Sequence, residues 1–158
     1  MKTLLATLLL IAAGAAQAQS LQAFVRGSQQ AIVTAQQGKP FVLALWSLDC
    51  VFCRDDLALL GKLMAKYPKL AVVTLATDPP EQRDELQKVL DRYRLGGAAN
   101  WLFADTFVER LRYEIDPQWF GELPRTYFYG ADGTRTAVSG QLDAQEVERW
   151  IKSAGHHE

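Results

Sequence analysis

The chain contains only two cysteines and two histidines among its 158 residues. So few cysteines exclude the disulfide framework that holds small secreted domains together, and a chain of this length can bury a core without one. A structural zinc site needs four Cys or His ligands, and both histidines, His156 and His157, stand at the end of the chain. A zinc site is therefore disfavoured, and no metal is expected.

The chain also lacks an excess of charge and any run of basic residues, since 17 Lys and Arg stand against 18 Asp and Glu. Proteins that bind nucleic acid or anionic membranes present clustered basic side chains. The sequence therefore gives no reason to expect nucleic acid or a membrane surface as a partner.

The first residues have the pattern of a secretory signal. Lys2 precedes an apolar segment over residues 3–15, and the AQA sequence that ends at Ala18 has the small-x-small pattern of a cleavage site. A membrane-spanning helix needs about 20 apolar residues, and this run ends earlier. We predict a signal peptide over residues 1–18 and one domain over residues 19–158, which would lie in an oxidising, extracytoplasmic space without a membrane anchor after cleavage.

The rest of the chain alternates between helical and strand-like patterns. The strand-like runs are short and apolar, and the helical segments begin at capping residues or after turns. This alternation, which ends in a hairpin and a helix, predicts an α/β sandwich with a mixed central sheet flanked by helices. Strands are predicted at 41–46, 70–76, 101–103, 126–129 and 134–139, and helices are predicted to begin at Leu21, Cys50, Asp78, Asp105 and Asp143.

Cys50 and Cys53 form a Cys-x-x-Cys motif where a predicted buried strand meets a predicted helix. Unpaired N–H groups and the helix dipole stabilise a thiolate at a helix start, which favours Cys50 as a nucleophile. Cys53 lies three residues further on and is expected to be more shielded. We therefore predict that Cys50 attacks a partner's disulfide and that Cys53 resolves the mixed disulfide.

Two other interpretations of the pair stay open. A copper site would need the histidines at the chain end or Met64, which the helical pattern buries. The second interpretation is a purely structural disulfide. A disulfide between residues only three apart closes a very short loop, so it restricts the unfolded chain little. A redox pair is favoured over both.

Two motifs carry a resemblance to a known family: WSLDCVFCR at 46–54 and LPRTYFYGADG at 123–133. With them the chain resembles periplasmic thioredoxin-like thiol-disulfide oxidoreductases of the TlpA/ResA type. The resemblance implies a thioredoxin-like sandwich with an extra strand–helix unit between the Cys-x-x-Cys helix and the strand after a cis-proline. It places Trp46 beneath the active site, and it makes Pro124 the cis-proline that faces the disulfide, with Leu123 before it.

The resemblance also implies partners and cofactors. We expect a monomer whose only cofactor is its own Cys50–Cys53 disulfide. Its partners would be client proteins with disulfides and an upstream electron donor such as a membrane thiol transporter. A disulfide oxidase or isomerase, and a copper-binding chaperone that uses the cysteine pair, are the alternatives.

The chain departs from the family at several positions. Asp49 replaces the tryptophan usual before the first cysteine, and Ala44 replaces the buried acid of thioredoxins. Members that act in cytochrome maturation have an acid three residues after the second cysteine, and Asp56 stands there. Asp56 shares a helix face with Cys53 and is predicted as its proton acceptor, with a solvated helix acid as the alternative.

The remaining candidate residues concern client binding and charge. Trp119 and Phe120, together with Leu123, could form an apolar rim for a protein substrate, with core packing as the alternative for the two aromatic residues. Arg54 could support the Cys50 thiolate or simply be exposed, whereas Asp49 opposes the thiolate. The balance predicts a reductant, with a potential nearer thioredoxin's, about −270 mV, than DsbA's, about −120 mV.

Overall fold

The protein is described by a computed structural model that covers residues 21–155. The predicted signal peptide, His156 and His157 lie outside the described residues. Among residues 21–155, no helix has both the length and the apolar character needed to cross a membrane. The strands are β1 (Gln22–Phe24), β2 (Phe41–Trp46), β3 (Ala71–Ala76), β4 (Ala99–Phe103), β5 (Arg125–Tyr129) and β6 (Arg135–Ser139), and the helices are α1 (Ser28–Ala35), α2 (Cys53–Lys66), α3 (Arg83–Arg92), α4 (Val108–Ile115) and α5 (Ala144–Ser153).

The six strands form one mixed sheet in the order β1-β4-β3-β2-β5-β6. The strands from β1 to β2 in this order run parallel, and β5 and β6 are antiparallel to their neighbours. Two strand–helix units, β3 with α3 and β4 with α4, separate α2 from β5. The predicted thioredoxin-like sandwich with an extra unit is therefore confirmed.

The central position of β2 in the sheet explains why its sequence, FVLALW, is apolar without interruption. All six of its side chains are buried, because helices cover both faces of the sheet. Val42, Ala44 and Trp46 belong to the core cluster that contains the apolar faces of α2, α3 and α5. The alternate residues of β2 belong to the cluster built with α1 and α4. Successive side chains of β2 therefore pack against the helices on opposite faces of the sheet.

The single helix predicted from Leu21 is wrong in its first part. Residues 22–24 form β1, which pairs with β4, and Phe24 is buried against Phe103. Gly27 then has a φ of 87°, a left-handed conformation that glycine tolerates, and α1 begins only after it. A few apolar residues at short spacing fit a strand as well as a helix, so the sequence pattern did not separate the two.

Three other predicted helix starts are also corrected. The helix predicted from Asp105 begins at Val108, and the Asp105 carboxylate accepts from the Phe107 N–H just before it. The α2 helix begins at Cys53, three residues later than predicted, so Cys53 is its first residue and Cys50 precedes it in a turn. Asp78 does not cap a helix: a short 3-10 turn over Pro80–Gln82 precedes α3, and the Asp78 carboxylate bonds elsewhere. Asp143 does cap α5, since its side chain accepts a hydrogen bond from the Glu146 amide at 2.9 Å.

The contact between α2 and the end of α3 yields a test of the packing. A β-carbon added at Gly61 would overlap the backbone carbonyl oxygen of Tyr93, which cannot rotate away. We expect Gly61→Ala to lower the free energy of unfolding by about 1–3 kcal/mol, because overpacking outweighs the higher helix propensity of alanine. Urea titration measures the loss.

Gly96→Ala is the matched control, since a β-carbon at Gly96 meets no atom within 4 Å. We expect its unfolding free energy to be unchanged or slightly raised. Equal stabilities of the two variants would contradict the close packing of α2 on α3.

Candidate active site

Strand order brings the two sequence motifs to one edge of the sheet. The β2 strand ends at Trp46, and the chain continues through Cys50 into α2. The antiparallel β5 strand begins at this same edge, because Arg125 pairs with Leu45. Pro124 therefore stands beside the end of β2, from which the disulfide-bearing turn departs.

The two cysteines form a disulfide with an S–S distance of 2.02 Å and a Cα–Cα distance of 5.3 Å. Cys50 is partly exposed, whereas Cys53 is only 1% exposed. The Cys53 backbone N–H, at the start of α2, donates to the Cys50 Sγ atom at 3.2 Å. Only Cys50 is thus open to a partner, and a helix-start N–H is placed to stabilise its thiolate. This arrangement suits the predicted order of reaction.

The loop before Cys50 is held from two sides at Leu48. The Leu48 N–H donates to the two carboxylate oxygens of Asp78 at 3.1 and 3.3 Å. The Leu48 carbonyl accepts from Arg54 Nη2 at 3.2 Å. Arg54 is exposed and is engaged with the loop backbone, so its role beside the Cys50 thiolate stays a prediction.

Asp78 is a site residue that the sequence analysis assigned to another role. Its side chain is buried, and burial raises its pKa, although the Leu48 hydrogen bond lowers it and the nearby Asp49 charge raises it further. The signal that could have found it is topological: Asp78 follows β3, the parallel neighbour of β2, so it lies at the same carboxyl edge of the sheet as Cys50. Asp49 itself is exposed.

Asp56 is 3% exposed and lies one helical turn beyond Cys53 on α2. Its Oδ1 atom accepts a hydrogen bond from the Leu142 N–H at 3.0 Å, and its buried Oδ2 atom has no partner within residues 21–155. Burial raises its pKa to about 6, against a lowering by the Leu142 bond, and the Asp55 charge raises it further. A carboxyl group with such a pKa can take up and release protons near neutral pH. Its role toward Cys53 stays a prediction.

The Leu123–Pro124 peptide bond is cis, as the resemblance implies. Pro124 is buried, and its carbonyl accepts from the Gly140 N–H at 2.9 Å. Leu123 is partly buried and packs against both core clusters, while Trp46 is buried on the α2 side of the sheet. The role of these residues in client binding stays a prediction.

Trp119 corrects part of the predicted apolar rim. It is 3% exposed, belongs to the core cluster with α1 and α4, and donates its indole N–H to the Glu122 carbonyl at 2.8 Å. A buried side chain cannot contact a client, so Trp119 is wrong as a rim residue. Phe120, by contrast, is 88% exposed, and Val51 and Phe52, between the cysteines, are exposed as well.

No group of three or more His, Cys, Asp or Glu side chains that could hold a metal occurs within residues 21–155. The histidines of the copper hypothesis lie outside this range, so the hypothesis stays untested.

Comparison with known proteins finds relatives in sequence and in fold. No family model matches the chain. The soluble secreted antigen MPT53 of Mycobacterium tuberculosis is 31% identical over 112 residues, which make up 71% of this chain and 60% of the relative. The protein of the same name from Mycobacterium bovis gives the same figures. The chain thus spans about 60% of the length of the curated relatives it matches.

The matches to solved structures cover a larger share of the other protein than the match to MPT53 does. A secreted disulfide oxidoreductase of Mycobacterium tuberculosis, homologous to DsbE of E. coli, is 27% identical with a TM-score of 0.60, over 76% of this chain and 85% of that one. The dsbF protein of the same organism has a TM-score of 0.60 at 21% identity, over 76% of this chain and 84% of the other. A putative DsbE of Chlorobium tepidum has a TM-score of 0.57 at 19% identity, over 77% and 84% of the two chains.

The chain has a thioredoxin-like fold, and it is similar to thiol-disulfide oxidoreductases of the TlpA/ResA and DsbE type. This assignment agrees with the resemblance that the two motifs predicted, and the Cys-x-x-Cys pair stands at the start of α2 as that resemblance requires.

The raised pKa of Asp56 makes stability depend on pH in this thioredoxin-fold protein. The pKa lies near 6 in the folded protein against 3.8 ordinarily, so the folded state holds the proton more tightly. This contribution is complete below about pH 4 and is lost as the pH rises through 6. A difference of about two pKa units corresponds to at most about 3 kcal/mol.

We therefore expect oxidised Asp56→Asn to be more stable than the wild type at pH 7.5, by about 1–3 kcal/mol, because the amide keeps the acceptor for Leu142 without a buried charge. At pH 4 the two proteins should unfold at nearly the same urea concentration. An equal difference at pH 4 and 7.5 would refute the buried-acid interpretation.

Proposed function

We propose that this chain is an extracytoplasmic thiol-disulfide oxidoreductase that reduces disulfides of client proteins with its Cys50/Cys53 dithiol. The observation that carries the proposal is the asymmetry of the pair: a partly exposed Cys50 that receives a helix-start N–H, beside a buried Cys53. The similarity to a disulfide oxidoreductase homologous to DsbE supports it.

The reaction proceeds in two exchanges. The Cys50 thiolate attacks one sulfur of the client disulfide, an S–S bond forms between the two proteins, and the other client sulfur leaves as a thiolate. Cys53 then passes its proton to the Asp56 carboxylate and attacks Cys50 Sγ, which closes the internal disulfide and releases the second client sulfur. Two electrons reach the client, and the Asp56 proton returns to solvent or to a client thiolate. An upstream donor must then reduce the protein again.

The charges around the disulfide favour the reducing direction. A strongly stabilised thiolate makes an oxidant, because it stabilises the dithiol form. Here Asp49 is exposed directly before Cys50, and the carboxyl groups of Asp78 and Asp56 are enclosed behind the site. Arg54, the basic residue of this segment, is bonded to the Leu48 carbonyl. The acids thus weaken the stabilisation that the start of α2 supplies.

The predicted signal peptide and the similarity to secreted proteins of Mycobacterium support the proposed extracytoplasmic location. In an oxidising compartment a reductant needs a continuing source of electrons. The proposed partners are therefore disulfide-containing client proteins and an upstream electron donor such as a membrane thiol transporter.

A trapping experiment tests the order of the two cysteines. Cys53→Ala leaves a mixed disulfide on Cys50 without its resolving thiol, so covalent complexes with clients should accumulate and run as high-mass bands on non-reducing gels. Mass spectrometry of these bands identifies the partners.

Cys50→Ser, with Cys53 intact, is the matched control and should trap nothing, because Cys53 is buried. If clients are trapped only in the Cys50→Ser variant, the nucleophile has been assigned to the wrong residue.

The reduction potential tests the direction of electron flow. Equilibration with glutathione buffers should give a value nearer about −270 mV than about −120 mV. Asp49→Asn removes an exposed charge that opposes the Cys50 thiolate. It should shift the potential by about 10–30 mV towards the oxidising end, since 30 mV corresponds to about 1.4 kcal/mol for two electrons.

The control is Asp132→Asn, in the β5–β6 turn at the opposite edge of the sheet, which should leave the potential unchanged. A wild-type value at the oxidising end, or a more reducing Asp49→Asn variant, would overturn the reductase assignment.

A further inference from the structure

The segment 116–124, called here the proline loop, connects α4 to β5 and ends at the cis Leu123–Pro124 bond. Its last residue stands next to the end of β2, because the following residue, Arg125, pairs with Leu45. The chain continues from this same end of β2 to Cys50, so the proline loop is one of the segments that a polypeptide docked at Cys50 could contact. The position of the loop backbone therefore bears on how a protein substrate is held.

A buried carboxylate anchors the first end of the proline loop. Asp116 is 5% exposed, and its Oδ1 atom accepts from the Gln118 N–H at 3.0 Å. Its Oδ2 atom accepts from Arg125 Nη2 at 2.9 Å and from the Tyr127 hydroxyl at 3.1 Å. Burial alone would raise the pKa of Asp116, but these hydrogen bonds and the Arg135 charge lower it, so the group is held as an anion.

A second carboxylate anchors the other end of the proline loop. Glu122 Oε1 lies 3.4 Å from Arg125 Nη1 and accepts from the Ser139 hydroxyl at 3.0 Å. Glu122 Oε2 accepts from the Phe120 N–H at 3.2 Å. Arg125 Nη1 also donates to Ser139 Oγ. One guanidinium group thus joins the two ends of the proline loop and the edge strand β6.

The planar fork of arginine suits this arrangement. Its two Nη atoms address different carboxylates at once, and its guanidinium stacks 5.0 Å from the centre of the Tyr127 ring. An ammonium group is a single point charge and cannot bridge both acids in the same geometry. With its side chain only 12% exposed, Arg125 is shielded from competing water.

We propose that Arg125, clamped between Asp116 and Glu122, is a positioning residue that fixes the Leu123–Pro124 backbone for docking of a protein disulfide. The proposal rests on the proposed function and deepens it. It separates two steps: sulfur exchange itself, which needs the cysteines, and the holding of a polypeptide, which needs the proline loop in place.

The experiment compares two disulfides of different size. Reduced wild type, Arg125→Lys and Arg125→Met react with 2-hydroxyethyl disulfide, which is too small to span the proline loop, and with a ten-residue synthetic peptide that contains one internal disulfide. We expect both variants to react at least about tenfold more slowly with the peptide, because displaced positioning groups commonly cost one to two orders of magnitude. The rate with 2-hydroxyethyl disulfide and the potential in glutathione buffers should be unchanged.

Glu122→Gln and Tyr127→Phe each remove fewer of the contacts around Arg125. They keep the proposal testable even if Arg125→Met folds poorly. Both should show a smaller but selective loss of the peptide reaction. Arg110→Met is the matched control: Arg110 lies on α4 and pairs at 3.0 Å with Asp105, just before that helix, and both rates of the variant should equal those of the wild type.

Two results would overturn the proposal: an unchanged peptide rate in both Arg125 variants, or an equal fall in the rates with both disulfides, which would indicate a structural effect on the dithiol. Failure of the proposed function looks different. In that case the reduced wild type would not react with 2-hydroxyethyl disulfide at all.

Discussion

The complete burial of β2 is the constraint on which the rest of the site depends. Because helices cover both faces of the sheet, this strand can only lie at its centre, with β3 and β5 as its neighbours. The end of β2 then fixes where the cysteines stand, the end of β3 brings Asp78 to the loop before them, and the start of β5 brings Pro124 alongside. Three segments that are distant in sequence meet at one edge because one strand is apolar throughout.

Three buried carboxyl groups surround this edge, and their hydrogen-bond partners give them different properties. Asp56 and Asp78 are bonded to single backbone N–H groups, of Leu142 and Leu48, and the cost of burial dominates and raises their pKa values. Asp116 has a guanidinium, a phenol and a backbone amide as donors, and its pKa is lowered. Asp56 and Asp78 are thus suited to hold protons, whereas Asp116, at the start of the proline loop, is suited to hold a fixed charge.

The sequence predicted the parts of the molecule that local patterns control. The apolar run of β2, the position of the cysteines at a strand–helix junction and the Asp143 cap all follow from neighbouring residues. The sequence does not predict β1, because a segment of three residues is too short to show a strand or helix periodicity. Its pairing with β4 determines its structure. Asp78 and Trp119 were misassigned because burial and tertiary contact, not composition, determine what their side chains do. The hydrogen-bonded group of Asp116, Glu122, Arg125 and Ser139 has no local sequence pattern, because its members are spread over residues 116 to 139.

In the proposed reaction Asp49 and Asp56 act on different steps, because they differ in exposure. Asp49 faces water, so its effect on the Cys50 thiolate is weakened by solvent and salt, and it adjusts the potential only slightly. Asp56 is enclosed and has one oxygen without a partner in the described chain, so a charge on it is costly. In the proposed reaction, accepting the proton of Cys53 would remove that buried charge as the Cys53 thiolate forms. Under this proposal the cost of burying a charge on Asp56 favours resolution of the mixed disulfide, so a site rich in acids is compatible with a reaction that needs thiolates.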